Sequence, residues 1–219
     1  MLSVDGESEE VANERLLTPL LQLVYVPFRD SLLIRISFAM SDFDTQLISA
    51  EVLPIPADDL SRDLVVADAE GDLPHLGLVG DTYTVLLSGK DTAGKYCLID
   101  MHVPPGGGPP PHRHDFEETF IVQAGEIEAT FRGKTSTVRA GETLHIPANA
   151  PHQFRNASKE NVRLLCICAP AGQEEFFEEV GVRVSGRTVA PPPLSPEEQK
   201  AMGEKAAKLA PKYRTEFVR

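Results

Sequence analysis

Residues Gly106 to Gly125 read GGGPPPHRHDFEETFIVQAG. In an extended chain, side chains two apart share a face, so His112 and His114 look the same way. Glu118 keeps that parity along an uninterrupted strand. His152 follows a separate strand and closes the set from across a barrel. Three imidazoles and one carboxylate suit manganese, iron, cobalt, nickel, copper or zinc; they do not suit calcium or an iron–sulfur cluster. Four protein ligands around an octahedral ion leave two positions for water, substrate or dioxygen. His112, His114, Glu118 and His152 are therefore candidate ligands of one divalent transition metal. The GGGPPP run reads as a stiffened loop presenting His112, since no helix or lysine follows it to make a phosphate cradle.

The flanking sequence has the matching architecture. From 82 to 168 short alternating runs (TYTVLLSG, YCLIDMHV, ETFIVQAG, EIEATFRG, TLHIPAN, VRLLCICA) are divided by glycine and proline turns. Many short, evenly spaced strands imply an all-β sandwich or barrel. Gly89, Gly94, Gly125, Gly133 and Gly141 fall between runs, where a positive φ is expected. After Pro170 the spacing turns helical, with Phe176, Phe177 and Val180 on one face. Prolines 191–193 form a stiff linker. Ser195, Pro196 and Glu198 then start a helix with an N-cap serine, proline at the first position and a capping-box glutamate, running to about Leu209 before Pro211. With no internal repeat, a single β-domain is expected.

The amino-terminal part differs. Leu17, Leu20, Leu21 and Val24 have helical spacing around Pro19, whereas Leu32, Ile34, Ile36 and Phe38 alternate as a strand does. From about 43 to 80, apolar pieces broken by Pro54, Pro56 and Pro74 suggest loops and edge strands. The expected organisation is an N-terminal extension over 1–42, a barrel domain over 43–184, and a proline-rich linker with a C-terminal helix over 185–219. The MSDFDTQ at Met40 looks like an ordinary protein start, so residues 1–39 are read either as an upstream extension of the reading frame or as an arm that packs on a partner subunit.

The motif spacing carries a resemblance. The run G106-x5-H112-x-H114-x3-E118-x6-G125 matches the first motif of the cupin superfamily at every position. The second motif is matched by G141-x5-P147-x-N149-x2-H152-x3-N156, with asparagine at 149 where the family usually has glycine. Asparagine tolerates left-handed backbone better than most residues, so the turn survives and the ligands are untouched. Together the two motifs span about a quarter of the chain. PPPHRHDFEETFIVQAG followed by PAGQEEFFEEVG further resembles the single-domain, quercetinase-like (type 2) cupins, whose barrel is followed by a Phe-Phe helix. This resemblance implies a double-stranded β-helix (cupin or jelly-roll barrel) with C-terminal helices, and a divalent metal (Fe, Mn, Ni, Co, Cu or Zn) held by His112, His114, Glu118 and His152. It also implies a catalytic Glu118 that doubles as ligand and base toward an enol-type substrate before dioxygen attacks. A carboxylate beside a dication is a weak base, so Glu118 must swing off the metal or be desolvated to take a proton.

Phe116, Phe120 and Phe154 share parity with the ligands and are candidates for a substrate pocket, with ordinary core as the alternative. His102 reads as a histidine near the barrel mouth, His145 as facing away from Leu144 and Ile146, and His75 as a surface residue before the barrel. Arg113 should point outward. Cys166 and Cys168 alternate onto one face and read as small hydrophobes; with Cys97 they make an odd count without metal-type spacing, and a reducing, cytoplasmic setting is the simplest reading.

A net charge of −12 argues against nucleic acid, which wants a basic stripe. A 42% hydrophobic fraction suits a globular fold, and no apolar run approaches the roughly 20 residues of a membrane span. The acidic start through Glu10 is unlike a secretory signal. Expected partners are a small-molecule substrate and a second copy in a homodimer, because a small barrel leaves sheet edges to cover. The leading functional expectation is a metal-dependent dioxygenase of quercetinase type. The alternatives are a metal-dependent isomerase or lyase on a sugar or hydroxy acid, and a non-catalytic small-molecule binding module. An apolar pocket favours the first; arginine or lysine at the mouth favours the second.

Overall fold

Each inward run of the sequence becomes a strand facing one interior. The computed structural model describes residues 54–218 and, in backbone only, a short antiparallel pair β1 (Leu23–Val24) and β2 (Arg35–Ile36). Residues 17–22 of the helical reading and most of the alternating segment 31–39 lie outside the described residues; Leu23 and Val24, at the end of that reading, form strand β1 instead of a helix. By internal packing the chain divides into Met1–Arg62 and Asp63–Arg219.

The second unit holds the strands β3 (His75–Leu78), β4 (Asp81–Leu87), β5 (Cys97–Val103), β6 (His112–His114), β7 (Glu117–Ala124), β8 (Glu126–Phe131), β9 (Lys134–Arg139), β10 (Thr143–Ile146), β11 (His152–Arg155) and β12 (Val162–Ala169). Helix α1 (Gln173–Val180), β13 (Val182–Arg183), α2 (Pro196–Leu209), a 3-10 turn (Ala210–Tyr213) and β14 (Thr215–Phe217) follow. All pairings are antiparallel and form two sheets, ordered β10-β7-β12-β5-β4-β3-β13 and β14-β6-β11-β8-β9. This is the all-β double-stranded β-helix with C-terminal helices. Alternation puts one face of each sheet inside: Leu164, Cys166 and Cys168 of β12, Phe120 and Val122 of β7, and Ile127 and Ala129 of β8 are all buried.

Helix α2 starts as its sequence dictates. Ser195 caps α2, its side chain accepting from the Glu198 N–H while the Glu198 carboxylate accepts from the Ser195 N–H. Phe176, Phe177 and Val180 of α1 are buried. Asn149 has φ 69°, the left-handed turn expected where the family has glycine.

Two expectations are corrected. His75 is no surface residue: it begins β3, is buried, and bonds Thr84 Oγ1 through Nδ1 at 2.7 Å. Pro74 and the surrounding aspartates disguise a four-residue strand that pairs with β4 on one side. Gly89 is not among the positive-φ glycines, although Gly94, Gly125, Gly133 and Gly141 are. Its requirement is space, because a Cβ there would stand 2.9 Å from Ala171 Cβ.

Candidate metal centre

The four candidate ligands come from both sheets. His112 and His114 lie on β6 and His152 on β11, with His152 opposite His112 in register. Glu118 lies on β7 in the facing sheet. The strand is broken at Asp115 and Phe116, yet parity survives: His112, His114, Phe116, Glu118 and Phe120 are all buried, and Arg113 and Glu117 are exposed. One ligand atom from each of the four can be chosen so that all lie within 4.8 Å of one another.

Hydrogen bonds fix the state of the imidazoles. Nδ1 of His112, His114 and His152 each lies 2.9 Å from a backbone carbonyl, of Pro110, Phe116 and Ala150 respectively. A carbonyl only accepts, so each Nδ1 donates, and in a neutral ring Nε2 is left as a bare acceptor. Nε2 of His114 and His152 nevertheless face Glu118 Oε2 at 3.1 and 3.0 Å. Acceptors that close repel unless a proton or a cation lies between them. Burial, reinforced by His152, pushes His112 down to about 4 and keeps it neutral. For His152, burial works against the charge, but the Glu118 carboxylate outweighs it and raises the pKa. Burial likewise opposes ionisation of Glu118, and the hydrogen bonds with His114 and His152 overcome it, holding the carboxyl well below its usual range. A buried anion with three converging imidazoles is a donor set that fits a divalent transition metal, and the three carbonyls are the outer partners such a site uses to aim its histidines.

The loop before β6 is built around glycine. Gly106 N–H donates to Asn156 O at 2.8 Å, and Asn156 N–H to Gly107 O at 2.9 Å, which ties the first motif to the last residue of the second. A Cβ on Gly107 would lie 2.1 Å from Asp81 Oδ1, and one on Gly108 2.2 Å from Phe154 O. Asp81 Oδ2 accepts from Gly108 N–H at 3.1 Å and from Tyr83 O–H at 3.0 Å. On the other flank, β14 pairs with the ligand strand, Thr215 opposite His114 and Phe217 opposite His112. Ion pairs Arg113–Glu216 and Arg214–Asp115 border that pairing.

A cavity of about 750 Å³ opens beside the cluster and reaches His112 and Glu118. Its walls include Met101, Phe120, Phe154, Phe176, Phe177 and, from α2, Met202, with no lysine or arginine among the described residues that line it. Of the three phenylalanines singled out in the sequence, Phe120 and Phe154 line this space and meet edge to face at 5.2 Å. Phe116 stacks on the His114 ring at 3.8 Å and is absent from the cavity wall. His145 is exposed and bonds Thr119 and Glu117; His102 is half-buried on β5. Sequence reasoning missed Asp81, the α2 wall and the two cysteines beside Glu118. The alternation of β12 marks those cysteines as inward, but only its pairing with β7 reveals what they meet.

Known proteins extend the picture. A family model described as Cupin domain matches residues 99–168. Quercetin 2,3-dioxygenase of Bacillus subtilis is 28% identical over 134 residues, 60% of this chain and 38% of that protein. Polyketide synthase CurC of Streptomyces cyaneus is 34% identical over 108 residues, 48% of this chain and 69% of that protein. Among solved structures, a predicted oxalate decarboxylase from Thermotoga maritima has TM-score 0.46 and 19% identity, covering 48% of this chain and 99% of that one. The chain thus spans well under half the length of the Bacillus relative. No helix among the described residues is long and apolar enough to cross a membrane. The metal-ligand motifs, the family match and the Streptomyces relative agree: this chain belongs to the cupin domain family.

Proposed function

We propose that the protein is a metal-dependent dioxygenase of quercetinase type, acting on a flat, oxygen-bearing aromatic molecule. The observation that carries this reading is the cavity: about 750 Å³, walled by phenylalanine and methionine, and touching His112 and Glu118. A volume of this order accommodates a drug-sized ligand. A sugar or hydroxy acid would find no cation among the described lining residues, so the isomerase and lyase alternatives are less well served. The 28% identity to a quercetin dioxygenase points the same way.

His112, His114, His152 and Glu118 would hold the divalent metal, which supplies Lewis-acid binding of a substrate oxygen and redox access to dioxygen. The chain does the rest. Phe120 and Phe154 present ring surface against which an aromatic substrate stacks. The apolar wall excludes water and strengthens every electrostatic contact inside. Glu118 lines the same cavity and, once released from the His114 and His152 contacts that hold its carboxyl low, is the base that takes the proton of an enol hydroxyl.

A second reading is chemistry on a polyketide-like substrate without dioxygen, favoured by the 34% identity to the Streptomyces polyketide synthase CurC. Oxygen-electrode assays on protein reconstituted separately with iron, manganese, nickel, cobalt, copper and zinc, against a flavonol panel, separate the two. Uptake stoichiometric with flavonol loss is expected. No uptake with any metal refutes the dioxygenase reading and favours the second one. Purified protein should also carry near-stoichiometric metal that His112→Ala or His152→Ala loses. We further infer a homodimer working in a reducing cytoplasm; light scattering checks the dimer.

A further inference from the structure

Glu118 turns its two oxygens to different surroundings. Oε2 faces Nε2 of His114 and His152. Oε1 faces sulfur: Cys166 Sγ lies at 3.4 Å and Cys168 Sγ at 3.8 Å, with 3.6 Å between the two sulfurs. Cys97, the cross-strand partner of Cys168, extends the row. All three cysteines are free and fully buried. The arrangement follows from the sheet. Alternation along β12 sends Cys166 and Cys168 inward, and the β12–β7 register sets Cys168 directly opposite Glu118.

Small hydrophobic packing does not account for two sulfurs converging on one carboxylate oxygen. An ionised carboxylate in the interior needs donors on both oxygens. Thiols buried in an apolar interior stay neutral, and a neutral thiol is a weak donor. We infer that Cys166, supported by Cys168, is a positioning residue for Glu118: its S–H holds Oε1 and leaves Oε2 as the single carboxylate oxygen turned toward the metal. This rests on the metal-centre reading above.

The chemistry of the donor gives the arrangement a purpose. Without an anchor, the carboxylate would be free to rotate and would turn Oε1 as well as Oε2 toward a bound ion. A thiol is a weaker donor than a hydroxyl or amide, so it restrains the rotamer of Glu118 without locking it. The competing use of the same atoms is a second site for a thiophilic ion, since Glu118, Cys166 and Cys168 also cluster as three buried donors. Such a site would need ionised thiols in the apolar core, which burial opposes.

Four measurements on the full chain decide the matter. The Raman S–H stretching band, recorded on metal-free protein, should contain a low-frequency component that vanishes in Cys166→Ala and moves up in Glu118→Gln, where the acceptor is weaker. In copper- or manganese-loaded protein, Cys166→Ala should weaken metal affinity about tenfold by chelator competition and change the electron paramagnetic resonance spectrum. Cys166→Ser should return both toward wild type, a rescue that repair of packing would not produce in the spectrum. If Cys166→Ala fails to fold, Cys168→Ala and the Glu118→Gln Raman comparison carry the test. An S–H band indifferent to Glu118→Gln, or a loaded Cys166→Ala spectrum identical to wild type, overturns the positioning role while leaving the metal centre standing. A wild-type chain that takes up no metal overturns both. Binding of a second equivalent of cadmium with thiolate charge-transfer absorption overturns the inference in favour of the soft-ion site.

Discussion

Replacing Asp81 by asparagine should make the protein more stable above neutral pH and leave it little changed in acid. Asp81 is fully buried beneath the glycine loop that leads to His112. Its Oδ2 has two donors, Tyr83 O–H and Gly108 N–H, while Oδ1 has no hydrogen-bond partner. Burial dominates these bonds and pushes the carboxyl up to about 7 from its ordinary 3.8. The folded state therefore holds the proton more tightly than the unfolded state. Below about pH 4 both states are protonated and ionisation costs nothing; from there to about pH 7 the unfolded chain ionises while the folded one resists, and stability falls. Roughly three pH units at 1.4 kcal/mol each give a loss of at most about 4 kcal/mol, complete above pH 7. The asparagine side chain has no proton to lose and keeps an acceptor for Tyr83 and Gly108; its NH₂ replaces an acid O–H at the same unpartnered position, so the acid-side difference should be near zero. The assay is urea unfolding of wild type and Asp81→Asn across pH 4 to 8.5, where the difference between the two isolates this one group. The gap should open in favour of the variant through pH 4 to 7 and correspond to a Tm increase of roughly 10 °C at pH 8. A pH-independent gap would refute the reasoning, because it would mean Asp81 titrates alike in both states.

Other perturbations test the supports of the site. Gly107→Ala drives a Cβ into Asp81 Oδ1 and Val103, so unfolding in urea should reveal a loss of roughly 1–3 kcal/mol, with weaker metal binding as the loop shifts. Met202→Trp fills the cavity from the α2 side, where Met202 is only partly buried; stability should stay within about 0.5 kcal/mol and metal content should be unchanged, while titration calorimetry finds flavonol affinity reduced. Truncation after Arg214 removes β14 and turns β6 into a sheet edge; hydrogen exchange at residues 112–114 should accelerate and metal affinity should fall, and unchanged exchange would deny β14 any role in bracing the ligands.

Much of this fold is legible in the chain because its strands alternate cleanly and its turns carry glycine. The runs over 82–169 become β4 to β12, and the capping box at Ser195 opens α2 where Pro196 permits it. What the sequence conceals is long-range pairing. Thr215–Phe217 is three residues long and lies just beyond a proline, so nothing local marks it as the strand that covers His112 and His114. Pro74 obscures His75, since a proline before a strand looks like a loop until the neighbouring strand is known. The ligand cluster needs no such knowledge: two motifs at fixed spacing name four residues that the facing sheets then bring together. Asp81 and the cysteines have no motif, and their meaning depends on atoms more than 25 residues away.

The two halves of the candidate ligand set are restrained in different ways, and chain distance accounts for most of the difference. Each imidazole finds the carbonyl that fixes it two residues away: Pro110 for His112, Phe116 for His114, Ala150 for His152. That restraint is written into the local backbone and holds whenever β6 and β11 form. Glu118 has no local backbone partner of this kind; Oε1 meets sulfur donated by a neighbouring strand, and Oε2 meets the imidazoles of His114, four residues back across the strand break, and of His152, both on the opposite sheet. The histidines therefore form a preset tripod, while the carboxylate depends on the packing of β7 against β12. Substitutions at that strand pair should alter the behaviour of Glu118 before they loosen the histidines, which is the order required if the fourth ligand must move and the other three must not.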